Sequence, residues 1–154
     1  MIDDPDADFG PGLPAVRPVN DGLLWTGGVA TAMVATLVTL TGVVVARGIL
    51  AIPLVLPDAT GGWREIGPGT YLVTLAGTLV ATALLHGLLL VAPEPFLFFG
   101  WTMALMGVVV GLLPLAAHAP VPSEVFSGAV NVAVCLAIWS LLAAVGRVAV
   151  IPAG

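Results

Sequence analysis

The side chains that could do chemistry are few: His86, His118, Cys135, Asn131 and the hydroxyls of Thr31, Thr36, Thr39, Thr41, Thr74, Thr78, Thr82, Thr102 and Ser140. His86 lies in a long apolar stretch, about 8 Å inside the slab it would occupy at 1.5 Å per residue. An imidazole there can relay a proton or contact a ligand; the structural alternative is a histidine hydrogen-bonded to a neighbouring hydroxyl. Matching depths across antiparallel helices puts Thr31, Thr102 and Ser140 at its level, and these four residues form a candidate intramembrane polar site. Asn131, near the level of Thr39, Thr74 and Thr78, is the candidate for interhelical hydrogen bonding, worth about 1 kcal/mol in a helix bundle. The threonines also have a local option, the carbonyl one turn back in their own helix. Cys135 has no second thiol and reads as a buried, inert one. His118 reads as an interfacial residue beside Glu124, where the two could together sense pH.

The chemistry that these residues do not spell narrows the function classes. No cluster of His, Cys, Asp and Glu stands at metal-ligand spacing, and no CxxC, phosphate-binding loop or serine-nucleophile motif is present. We therefore expect no catalysis within the chain, and no cofactor. A haem held by the two histidines would need both at one height. His118 instead falls about 25 Å from the level of His86, counting 1.5 Å per residue along one helix.

The elements that position these groups follow from where charge is absent. Of 154 residues, 59% are apolar, and nine Asp or Glu plus four Arg are the only charges. Soluble domains carry about a quarter charged residues, so a soluble enzyme, a nucleic-acid binder and a disordered chain are all excluded. The charges bracket four apolar runs, each longer than the ~20 residues that a helix needs to cross hydrocarbon. Trimming by prolines and interfacial aromatics predicts an all-α membrane four-helix bundle, its antiparallel transmembrane helices at about 23–46, 69–91, 96–117 and 124–148. Trp25, Phe96, Phe98, Phe99 and Trp101 would form one aromatic belt, with Trp63, Tyr71 and Phe126 near the other face. Pro114 should kink the third helix, which is tolerable where a neighbour satisfies the freed carbonyl. Small residues at three- or four-residue spacing, such as Gly28, Ala32 and Ala35, Gly77 and Ala81, or Gly107 and Gly111, provide for close helix packing.

Residues 1–21, with five acids and four prolines, read as a solvated disordered tail before a transmembrane domain over 22–154. The tail has no positive n-region and the first apolar run is of spanning length, so no cleaved signal is expected. The loop 47–68 between the first two helices begins with an apolar part broken by Pro53 and Pro57, expected as an extended or shallow element capping the bundle. It continues as polar turns around Trp63, Arg64 and Glu65. Arginines tie two to two between the sides, Arg17 and Arg147 against Arg47 and Arg64. An uncleaved tail left inside then places both termini in the cytoplasm.

The run LLHGLLLVAPEPFLFFGW at 84–101, after RGILAIPLVLP and before AVNVAVCLAIWSLLAAV at 129–145, resembles the small four-helix integral membrane proteins of unknown function in actinobacteria. That resemblance implies a four-helix fold in a bacterial inner membrane, and no activity. Glu94 stands where such proteins often carry a basic residue in the turn. Two functions follow as expectations. The first is an interaction or accessory subunit of the cell membrane, in contact with lipid and with a membrane-protein partner or further copies of itself, and not with nucleic acid. The second is a small transport or proton-conducting unit acting as an oligomer, lined by His86 and the hydroxyls of the first two helices. A redox protein would need a second chain to supply ligands.

Overall fold

The computed structural model describes residues 19–57 and 62–150. The predicted tail therefore falls outside the described residues up to position 18, as do the turn residues 58–61.

Four helical segments, Asp21–Ile49, Pro68–Val91, Pro95–Ala117 and Val121–Ala149, are each long and apolar enough to cross a membrane. The first contains α1, Asp21–Val44, which starts two residues before the predicted position. The reason is a cap: the Asn20 side chain accepts the Leu23 backbone N–H at 3.0 Å, satisfying one of the free donors at a helix start. At its far end α1 widens into a π turn, Val45–Ile49, and the chain leaves through Ala51, whose φ of 54° ends the helix. α2 spans Pro68–Val91 and α3 spans Pro95–Leu112, each with proline in its first turn, where the missing N–H costs nothing. Beyond Leu112 the chain tightens into a 3₁₀ turn, Leu113–Ala117, closed by His118 in the left-handed conformation. The kink expected at Pro114 thus takes the form of a change of helix type. α4 runs Val121–Ala149, three residues earlier than predicted, because Pro122 in the first turn opens the helix rather than ending a loop.

The loop between α1 and α2 holds a small antiparallel hairpin, β1 (Val55–Pro57) against β2 (Trp63–Glu65), in the register Val55 to Glu65 and Pro57 to Trp63. The prolines keep this stretch extended, and its inner face closes one end of the bundle. Leu54, Ala46 and Ile66 are buried there against Val43, Leu56, Phe126 and Val130. At the opposite end Val19 pairs with Val150 in an isolated antiparallel bridge, and the Asn20 N–H donates to the Ala149 carbonyl at 2.9 Å.

Between the ends lies a core of Leu24, Ala35, Leu85, Phe99, Met103, Ile138 and Leu142. Phe99 is fully buried in it, so this member of the expected aromatic belt packs inward, whereas Trp25, Phe98 and Trp101 are exposed. α1 touches both α2 and α4. A Cβ added at Gly28 would meet the Thr82 hydroxyl at 2.7 Å, and one at Gly27 would collide with a Val145 methyl. Backbone meets backbone between α3 and α4, where a Cβ on Gly128 would lie 2.5 Å from the Gly111 carbonyl oxygen. Only hydrogen fits in that space. Gly77, by contrast, faces open space, so the small residues of α2 do not all mark helix seams.

Candidate functional site

His86 occupies the last third of α2 and points at the first turn of α1. Its Nδ1 lies 3.7 Å from Asp21 Oδ1, beyond hydrogen-bonding distance, and its ring faces that of Trp25 with centroids 6.4 Å apart and planes tilted by 46°. Asp21 and Trp25 are four residues apart in one helix and so share a face. The capping by Asn20 places them there: with the helix starting at Asp21, the carboxylate belongs to α1 and not to the tail before it. The His86 side chain is 24% exposed and that of Asp21 68%. Nδ1 itself is shut away from solvent and has no hydrogen-bond partner.

The three hydroxyls expected around His86 are engaged elsewhere. Thr31 donates to the Gly27 carbonyl at 2.8 Å, Thr102 to Phe98 at 2.9 Å and Ser140 to Ala137 at 3.1 Å, each within its own helix. Thr102 and Ser140 are exposed. The contact of Gly28 with Thr82 sets the α1–α2 register, and Thr31 falls one turn further from the His86 end than Gly28. His86 thus stands level with the charged start of α1.

Below His86 the α2 hydroxyls form a ladder with a period of four residues: Thr74 donates to the Thr70 carbonyl, Thr78 to Thr74 and Thr82 to Thr78, at 2.8–3.0 Å. Thr78 and Thr82 are fully buried, as nearly are Thr31 and Thr39 of α1, and Thr39 donates to Ala35 at 3.0 Å. Each hydroxyl spends its proton locally and keeps lone pairs free to accept. Together with His86 they make a polar seam on the α1–α2 side of the bundle.

Asn131 reaches across to α3. Its Nδ2 donates to the Val110 carbonyl at 2.8 Å. Val110 is four residues before Pro114, the residue that has no N–H to give it, so the amide of α4 replaces the bond that proline removes. Thr39, Thr74 and Thr78 make none of the observed bonds to Asn131, since each donates within its own helix.

The hairpin end holds a second polar group. Glu124 is buried and its Oε1 accepts the Ala119 N–H at 2.8 Å. The Ser127 hydroxyl, also buried, accepts the N–H of Val55 at 2.9 Å, fastening β1 to α4. Arg47 bridges Glu65 at 2.8 Å and donates to the Ile66 carbonyl at 3.1 Å. His118 is exposed beside this group, where its left-handed backbone turns the chain into α4. Arg147, at the opposite end, lies over the Phe96 ring at 5.8 Å. Cys135 lines a shallow apolar cavity of about 240 Å³ between α3 and α4 with Gly100, Gly107 and Trp139. Among the described residues no three His, Cys, Asp or Glu side chains gather as metal ligands.

Reading the sequence alone misses Asp21 and Trp25 as neighbours of His86, and Ser127 as the anchor of β1. The signal for the first was present: Asn20 before an apolar run is a helix cap, which moves Asp21 onto the helix face. No local signal marks Ser127. The chain matches no protein-family model, no curated protein and no solved structure.

Proposed function

We propose that the chain is a multi-pass protein of the cell membrane, its four helices crossing lipid in antiparallel order with both ends cytoplasmic, and that it serves as an interaction subunit. One observation carries this reading: the outward faces of all four helices are apolar. On α3 alone Leu97, Trp101, Leu105, Val108 and Leu112 are each more than half exposed. Apolar surface this continuous signals lipid or a protein partner. Lipid satisfies most of it, and the segment Pro95–Ala117, the least buried of the four, has the most face left for another membrane protein. The test uses a photo-crosslinking residue at Leu105 or at Val73 of α2 in native membranes. A discrete protein adduct from Leu105 is expected; lipid adducts alone at both positions would reject the interaction role. Extraction by alkaline carbonate without detergent would reject the membrane assignment itself.

A second reading, an oligomeric proton-conducting unit, is favoured by the ladder of hydroxyls running from Thr70 to Thr82 and ending at His86. Proton flux into liposomes that is present for the native chain and lost in His86→Ala would support it. Equal flux in both would remove His86 as carrier.

A further inference from the structure

The geometry points to a proton-operated clip between His86 of α2 and Asp21 in the first turn of α1, closed when the imidazole is protonated and open when it is neutral. The inference needs neither conduction nor a partner protein, and it uses a feature that the readings above leave unexplained, a ring nitrogen shut off from solvent with nothing to bond. Leaving such an atom unpaired is costly. A nitrogen that carries a proton and advances by less than an ångström, from the observed 3.7 Å to hydrogen-bonding distance, removes that cost at the Asp21 carboxylate. In imidazolium both ring nitrogens are donors, and the pair then gains charge assistance.

The surroundings keep a carboxylate ready to take that proton's hydrogen bond. Asp21 sits in the first turn of α1, where the free N–H groups favour a negative side chain. Asn20 already performs the capping, so the Asp21 carboxylate is not held by it. The Trp25 ring is close to the distance at which an aromatic face attracts a cation. The exposed side of Asp21 gives protons a path from solvent. Among the described residues nothing else competes: α3 has no ionisable side chain between Pro95 and Leu112, and Glu94 before it is exposed. On α4 the single charge at this end is Arg147, turned over the Phe96 ring. The clip would fasten or free the start of α1, and with it the backbone at Val19 that pairs with Val150.

Hydrogen exchange on the full chain in lipid nanodiscs tests this directly. The amides of Leu24 and Trp25 are expected to be about two- to fivefold more protected at pH 5 than at pH 8, after correction for intrinsic exchange, the range that a partly solvated ion pair supports. His86→Gln and Asp21→Asn should each abolish that difference, the double variant should add nothing, and Asp21→Glu should restore part of it. Helix content measured by circular dichroism shows whether each variant is folded. In His118→Gln, with His86 the sole imidazole, nitrogen-15 spectra should show a slowly exchanging Nδ1 proton at pH 5 that is lost on adding Asp21→Asn. Equal protection at both pH values, or a pH difference that survives in Asp21→Asn, would overturn the clip.

Discussion

The two ends of the bundle solve the same problem in opposite ways. At the hairpin end the buried Glu124 takes the Ala119 N–H and the buried Ser127 takes that of Val55, while at the exposed rim Arg47 joins Glu65 and Ile66. At the other end His86 is drawn inward and left with a nitrogen unpaired, within reach of a carboxylate yet not bonded to it. The first arrangement resists change because each loss leaves a buried donor without water. The second has nothing to lose and one bond to gain. Both ends are tied by hydrogen bonds, and the difference lies in the one buried nitrogen that the His86 end leaves unpaired.

That contrast can be broken by substitution. The largest effect is expected where α3 and α4 cross beside the hairpin end. Gly128→Ala places a methyl 2.5 Å from the Gly111 carbonyl oxygen, and since backbone must move to relieve it, about 2–3 kcal/mol of stability should be lost, measured by thermal or denaturant unfolding in detergent. Next comes Ser127→Ala, which leaves the buried Val55 N–H unpaired and should cost about 1–2 kcal/mol; tryptic cleavage after the exposed Arg64 should speed up as β1 loosens. Asn131→Leu should cost about 1 kcal/mol, and less in combination with Pro114→Ala, because an N–H at 114 can then serve Val110. At the other end His86→Leu removes an unpaired nitrogen rather than a bond, so no loss, and a gain of up to about 1 kcal/mol, is expected at pH 8. A loss at pH 8 as large as that of Ser127→Ala would erase the distinction between the ends.

Much of the architecture was legible because hydrocarbon-length runs were bracketed by charge, from Asp21 to Arg47 or from Glu124 to Arg147. The edges were less so. Asn20 moved the start of α1, and Pro122 opened α4 three residues before the boundary at 124. Within the site, Pro114 and Asn131 could each be read singly, one as a residue that frees a carbonyl and the other as an amide seeking a bond. Their meeting at Val110 depends on how α3 and α4 slide together, which the Gly111–Gly128 approach fixes and no local pattern reveals. The level of His86 failed to follow from counting for the same reason. Helices of equal rise need not start at equal heights, and Gly28 against Thr82 sets the offset. The strands of the hairpin are too short to announce themselves: Pro53 and Pro57 argue against helix, but pairing of Pro57 with Trp63 is a tertiary fact.

The bridge between Val19 and Val150, with Asn20 bonded to Ala149, has a topological consequence. The entry to the first helix and the exit from the last are neighbours, so a few-residue linker could join them and the polypeptide could be opened instead in the tight bend around Pro93. Such a circular permutant, joined between Val150 and Val19, would reorder the helices along the chain while leaving each in place.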